Sequence, residues 1–326
     1  MVCIAVVEGD GIGREVIPVA RRVLAAVRPD MEFFDVEAGY GRWERTGEAC
    51  GSETIAELRS ADAILFGAVT TPPDPGYRSV LLQIRHNLDL YANVRPIRGD
   101  GFDIVIVREN TEGLYSGIER IEEDRACTVR VVSRKGSERI ARVACALAKE
   151  REHLTIGNKA NVLKSDSFFL EICREEAARA SVPCKAMYID ALCLDILLHP
   201  ERYDVIVTTN MFGDILSDVA AYLVGGLGML PSANIGTRYA LFEPVHGSAP
   251  DIAGMNRANP IAAIRSAAML LQYLGDPVHA ALVEEAVGST VAQGISTPDL
   301  GGTAGTREFG DAVLQYLETA RKVNAR

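Results

Sequence analysis

The stretch Cys3-Ile4-Ala5-Val6-Val7-Glu8-Gly9-Asp10-Gly11-Ile12-Gly13 is an apolar, β-branched run that breaks into a glycine-rich turn. From Gly13 to Val27 the apolar residues Val16, Ile17, Ala20, Val23, Leu24 and Val27 then recur on one helical face. Strand, turn and amphipathic helix in that order predict an α/β protein with a largely parallel sheet. Working outward, the same signature predicts strands at Ala63–Val69, Asp103–Val107, Thr155–Asn158, Lys185–Ile189 and Val205–Thr209. Asn259 followed by Pro260 reads as an N-cap with proline at the first helical position, and Gly275 ends the run, predicting a helix over 260–274. Two strand-like pieces, Leu114–Ile121 and Ala126–Val132, flank the turn Glu122-Glu123-Asp124-Arg125 and predict a hairpin or arm.

The length of 326 residues allows two or three domains, although no repeat or linker marks a boundary. With 44 acidic and 34 basic residues the net charge is −10, and no Lys/Arg run is present. Neither nucleic acid nor a membrane surface is therefore expected as a partner. Apolar stretches such as Ala61 to Val69 are far short of the ~20 residues a membrane span needs, and Met1 leads into a strand, which predicts a cytoplasmic protein. Seven scattered cysteines without a C-x-x-C pair suit reduced thiols rather than zinc or a disulfide framework.

Several residues could carry chemistry. The turn Glu8–Gly13 lets backbone approach a ligand at a helix N-terminus, and a plain strand-to-helix turn explains it equally well. Arg85, Arg95 and Arg108 lie beside apolar sequence, where a guanidinium needs an anion. That anion is either a polycarboxylate ligand or a structural ion-pair partner. In Thr208-Thr209-Asn210-Met211-Phe212-Gly213-Asp214-Ile215-Leu216-Ser217-Asp218, a strand yields to a helix that puts Asp214 and Asp218 on one face of its first turns. Such a pair favours Mg²⁺ or Mn²⁺, unless both carboxylates merely answer the helix dipole. Asp190 ends the strand at 185–189, where ligands of α/β proteins bind. Lys159, just past a strand, and Tyr115 could transfer protons if their pKa values move toward neutrality.

Together these segments resemble the β-decarboxylating dehydrogenases, the family of isocitrate, homoisocitrate, 3-isopropylmalate and tartrate dehydrogenases. The resemblance runs from Glu8–Gly13 through Asp214–Asp218 and Glu243-Pro244-Val245-His246-Gly247-Ser248-Ala249-Pro250-Asp251 to the C-terminal helices. It implies two α/β domains with a cleft between them and a β-arm in the smaller one. The large domain would comprise residues 1–92 and 226–326, and the small domain 93–225. It further implies that Arg85, Arg95 and Arg108 clamp the malate carboxylates and that Asp214 and Asp218 bind the metal with Asp190 of a second subunit. Lys159, also from that subunit, would help remove the hydroxyl proton, and Tyr115 would protonate the enol product. Ile12, Glu243, His246, Gly247, Ser248, Ala249, Asp251, Ile252 and Asn259 would hold NAD. A homodimer, or a homotetramer, follows from the shared site.

Arg78, Ser79, Leu81 and Leu82 match the loop that meets the substrate's side group. The leucines suit an isopropyl group, whereas Arg78 and Ser79 resemble the homoisocitrate branch; 3-isopropylmalate is the narrow choice, with isocitrate and tartrate behind. Asp251 and Ile252 stand where phosphate-preferring members carry Lys and Tyr, which points to NAD⁺. Two departures from the family stand out: only six residues separate Pro96 from Asp103, and Met255 replaces an expected Lys. A non-catalytic regulatory subunit of the same fold is the reading of a different class, and it would lack some of these residues.

Overall fold

A computed structural model describes residues 1–74 and 76–324. The chain divides into two compact α/β units, one of residues 1–88, 225–233 and 238–326, the other of 89–224 and 234–237. Among the described residues no helix is long and apolar enough to cross a membrane.

In the first unit the strand Val2–Gly9 buries Ile4, Ala5, Val6 and Val7 almost completely. It pairs in parallel with Met31–Asp35 on one side and Ala63–Ala68 on the other. Ala63–Ala68 pairs in parallel with Ala240–Pro244, and Pro231–Ile235 follows in the order. Strands apolar on both faces need helices on both, and the Gly13–Val27 helix supplies one cover with the face predicted for it. Ile261–Tyr273 and Thr306–Asn324 pack against that helix, and Pro277–Ala292 packs against both of them.

The second unit orders its strands Ala92–Gly99, Phe102–Glu109, Val205–Thr208, Leu154–Asn158, Cys184–Tyr188. All adjacent pairs are parallel except the first, an antiparallel hairpin turning at Asp100 and Gly101. That hairpin is what the short 97–102 segment makes, and Gly101 takes a left-handed φ of 77° to close it. The helices Arg134–Ala148 and Lys164–Ala180 lay Ile140, Ala144, Phe169 and Cys173 against Val105, Val107, Ile156 and Val207.

Several predicted bounds need correction. Cys184–Tyr188 ends one residue early, because Ile189 opens the helix Ile189–Leu198. Asp190 therefore sits in a helix's first turn, favoured there by the dipole, rather than at a strand end. Thr209 likewise leaves its strand to become the extended N-cap of Asn210–Ala221. Asp214 and Asp218 are the fifth and ninth residues of that helix and no acid lies in its first turn, so the dipole does not explain them. The predicted arm shrinks to Glu119–Ile121 paired with Ala126–Thr128, since Gly113 (φ 87°) and Gly117 (φ 72°) bracket a 3₁₀ turn at Leu114–Ser116. Pro260 is the N-cap of Ile261–Tyr273, and the Asn259 side chain accepts from the Ile261 N–H at 2.9 Å.

The unit boundary lies at Leu88, and residues 234–237 join the second unit. Asn234 explains the latter: its side-chain oxygen accepts from Asn93 at 3.0 Å and Asn110 at 2.8 Å, all three buried. Residues 325 and 326 of the expected large domain lie outside the described residues. All seven cysteines are free thiols.

Candidate active site

In the second unit the arginines and aspartates converge. Arg108, at the end of Phe102–Glu109, is buried, and its Nε and one terminal nitrogen donate to the Asn210 side-chain oxygen at 3.1 and 2.8 Å. Its other terminal nitrogen donates to the Asp214 carboxylate. Arg95, on Ala92–Gly99, donates through Nε to the Asn93 oxygen at 2.6 Å, to Ser217 Oγ, and to Asp214 at 3.3 Å. The Tyr115 hydroxyl donates to Asp214 Oδ2 at 3.1 Å, and its ring lies against the Arg108 guanidinium. Asp214 thus accepts from two guanidiniums and a phenol. Asp218, one turn on, meets Arg95 only at 3.9 Å. Burial raises its carboxyl above the ordinary range, Asp214 adding to the rise while the charges of Arg95 and Arg108 oppose it.

Lys159 and Asp190 form a separate pair. Lys159 Nζ lies 2.6 Å from Asp190 Oδ1, and this bond holds the Asp190 carboxyl below its usual range. The Lys159 backbone N–H is held by Asp166, a fully buried carboxylate that also accepts from Arg130. Among the described residues, Asp190 does not join Asp214 and Asp218 in a common metal-sized cluster within one chain; only Glu152, His153 and Asp204 group that way. Both ring nitrogens of His153 already face acceptors, Asp204 and the Arg202 carbonyl.

In the first unit, Arg85 on the helix Val80–Asn87 is buried and pairs with Glu243 at 3.2 Å, leaving its Nε without a partner. Arg78 is exposed and, among the described residues, has no side-chain partner; Ser79, Leu81 and Leu82 are half-buried. The Ile12 N–H donates to the Ser248 carbonyl at 2.8 Å, and Ser248 Oγ meets Thr70 Oγ1 at 2.7 Å. The glycine turn is therefore spent on the chain itself: a Cβ on Gly11 would lie 1.9 Å from the Ser248 oxygen. After the exposed Gly247, Ala249 adopts φ 35° and the backbone turns through Ile252. The exposed Asp251 carboxylate caps no backbone N–H among the described residues. His246 Nε2 is buried without a partner, and burial pushes the imidazole pKa down. Asn259 Nδ2 donates to Asp299 at 3.0 Å. Met255 stands exposed beyond the turn.

The sequence reading missed two supports. The Asn93–Asn110–Asn234 network under Arg95 was signalled only by amides inside apolar strands. Asp10, read as part of a loop, is buried and accepts from the N–H groups of Tyr40 at 2.7 Å, Gly41 at 3.0 Å and Thr70 at 3.0 Å. It caps the helix Tyr40–Thr46 from elsewhere in the chain and braces the segment that holds Ser248. Asp10→Ala should cost about 2–4 kcal/mol, because three backbone donors lose a charged acceptor at once. Chemical denaturation checks this, and a change under about 0.5 kcal/mol, the size of an ordinary surface substitution, would show that the brace is dispensable.

The family model described as isocitrate/isopropylmalate dehydrogenase matches residues 3–313. The chain is 50% identical to the isocitrate/homoisocitrate dehydrogenase of Thermus thermophilus, over 97% of this chain and 98% of that one. It is 46% identical to the 3-isopropylmalate dehydrogenase of Archaeoglobus fulgidus, over 97% and 99%. The crystal structure of isocitrate dehydrogenase from Methylococcus capsulatus superposes with a TM-score of 0.93 at 42% identity, covering 97% of this chain and 99% of that one. The apo β-decarboxylating dehydrogenase of Thermococcus kodakarensis gives 0.89 at 46% identity, covering 100% and 98%. With a match along nearly its whole length, the chain belongs to the isocitrate/isopropylmalate dehydrogenase family of enzymes.

Proposed function

We propose that the protein catalyses the oxidative decarboxylation of a 3-substituted malate with NAD⁺ and a divalent cation, in the cytoplasm. The observation that carries this is Asp214, one carboxylate gathering Arg95, Arg108 and Tyr115 with a second aspartate a helical turn away. The residues fit both groups. Asp214 and Asp218 offer oxygen donors of the kind Mg²⁺ and Mn²⁺ take, and Asp190 of a neighbouring subunit would complete the set. His246 Nε2, buried and unpartnered, and the uncommitted Asp251 suit a dinucleotide along 246–252, with Ile12, Glu243 and Asn259 around it.

When bound, the dinucleotide supplies a hydride acceptor and the cation supplies a Lewis acid for enolate charge. Arg85, Arg95 and Arg108 hold the malate carboxylates; their fixed forks orient the carbon that loses hydride. Lys159 takes the hydroxyl proton on its amine as the ketone forms, and Asp190, 2.6 Å away, holds the ammonium that results. CO₂ then leaves, and Tyr115 returns a proton to the carbon that carried it.

This assignment of Lys159 and Asp190 calls for a homodimer, which exposed apolar side chains support. Leu194 and Leu198 on Ile189–Leu198, and Ile215 on the Asn210–Ala221 helix packed against it, stand exposed together with Tyr222. The short arm exposes Ile118 and Ile121 as well, and a lone two-stranded ribbon gains stability from a partner.

For the side group, the proposal is a carboxylated one, as in homoisocitrate or isocitrate, which departs from the isopropyl choice made on sequence. Arg85, Arg95 and Arg108 each have an internal carboxylate, whereas Arg78 has none among the described residues. The 50% identity to an isocitrate/homoisocitrate dehydrogenase supports the same choice. Half-buried Leu81 and Leu82 favour 3-isopropylmalate as the second reading. An assay panel of homoisocitrate, isocitrate, isopropylmalate and tartrate decides. Homoisocitrate or isocitrate should give the highest kcat/KM, and Arg78→Ala should lower that value about 50-fold, or some 2 kcal/mol. A preference for isopropylmalate that Arg78→Ala leaves intact would reverse the choice.

NAD⁺ should be used about 100-fold more efficiently than NADP⁺, since Asp251 can accept from both ribose hydroxyls yet repels a 2′-phosphate. Asp251→Lys with Ile252→Tyr should narrow or invert the ratio. Equal efficiencies in the unmodified enzyme would remove the ribose from this loop.

A further inference from the structure

We infer that Asn210 is a positioning residue that locks the substrate-clamping Arg108 and the turn carrying Tyr115 into one unit. Asn210 opens the Asn210–Ala221 helix and is buried. Its Oδ1 takes two hydrogen bonds from Arg108, from Nε at 3.1 Å and a terminal nitrogen at 2.8 Å, so that the guanidinium plane is fixed along one edge. Its Nδ2 donates at 2.9 Å to the Glu112 carbonyl, three residues before Tyr115. Gly113, with φ 87°, lies over this amide so closely that a Cβ there would come within 3.1 Å of Asn210 Cβ. One planar amide therefore serves a cationic clamp through its acceptor and a proton donor's turn through its donor.

The chemistry makes the arrangement specific. A primary amide is the side chain that can accept from a guanidinium on one side and donate to a carbonyl on the other. Aspartate keeps the shape and the acceptor but faces the Glu112 carbonyl with an oxygen. Alanine removes both links. With the far edge of Arg108 on Asp214, the guanidinium is held from both sides, and loss of Asn210 frees one of them.

The inference rests on Arg108 binding substrate and Tyr115 delivering the proton, and the test separates the two. Asn210→Ala and Asn210→Asp would be compared with Arg108→Ala and Tyr115→Phe in the full-length protein. Steady-state kinetics with the preferred substrate would be accompanied by calorimetric binding of malate in the presence of Mg²⁺. Asn210→Ala should raise the substrate KM and the malate Kd at least roughly tenfold and lower kcat, with the KM for NAD⁺ unmoved. Asn210→Asp should leave malate binding within about threefold of wild type while kcat falls at least roughly tenfold, because only the link to the Tyr115 turn is cut. If Asn210→Ala does not fold, this split in Asn210→Asp alone decides. Unchanged kinetics in folded Asn210 variants, alongside a weakened Arg108→Ala enzyme, would overturn the inference. A normal Arg108→Ala enzyme would instead overturn the assignment of the clamp. A parallel loss of KM for both substrates and of thermal stability would show a purely structural asparagine.

Discussion

Asp214→Asn is expected to lower kcat/KM about 1,000-fold, some 4 kcal/mol, in an enzyme that still folds. The substitution keeps shape and removes one negative charge from a point where Arg95 and Arg108, both almost fully buried, and the Tyr115 hydroxyl meet. Breaking a buried charge pair leaves its partner uncompensated, a cost of about 3–5 kcal/mol where both groups are enclosed. Asp214 is about a third exposed, so water recovers part of that cost in the resting protein and the melting temperature should move by only a few degrees. The larger loss falls on turnover, where the same carboxylate is proposed to bind the cation. Kinetics at saturating Mg²⁺ or Mn²⁺ together with a thermal melt check both parts. Activity within about tenfold of wild type would remove Asp214 from the chemistry.

Mixing two inactive enzymes should restore activity. Lys159→Ala and Tyr115→Phe should each lower kcat by about 10²–10⁴, the range for losing a positioned proton-transfer group. If each site takes Tyr115 from one subunit and Lys159 from the other, a mixed dimer has one intact site and one doubly defective one. Equal mixing with full exchange makes half the dimers mixed, so about a quarter of wild-type activity returns. A site built within one chain would give no recovery at all. The exposed Leu194, Leu198 and Ile215 supply a control, since Ile215→Asp should weaken the dimer seen by sedimentation and abolish the recovery.

The part of the fold set by periodicity was legible. The helix Gly13–Val27 has the bounds its apolar face predicts, because six apolar residues at helical spacing leave no other way to bury them. Met31–Asp35, Ala92–Gly99 and Ala240–Pro244 escaped notice because charged, glycine or proline residues interrupt their apolar pattern, and neighbouring strands stabilise them all the same. The Glu119–Ile121 arm was overdrawn because glycine φ values, not hydrophobicity, decide where that ribbon begins. For the site, charged residues beside apolar runs pointed to Arg85, Arg95 and Arg108, and the structure gives each an internal carboxylate. Sequence could not supply those partners: Glu243 is 158 positions from Arg85, and Asp214 is 106 from Arg108. Neutral supports such as Asn210 and Asn93 were hidden for the same reason, since an amide gives no sign in sequence of what it will bond.

The most direct test of the proposed reaction is to measure NADH and CO₂ together from the purified chain acting on homoisocitrate with Mg²⁺. One CO₂ should be released for each NADH formed, and both should cease together when EDTA removes the metal and return when Mg²⁺ is restored. NADH formed without CO₂, or turnover undiminished in metal-free enzyme, would contradict oxidative decarboxylation at the Asp214 site.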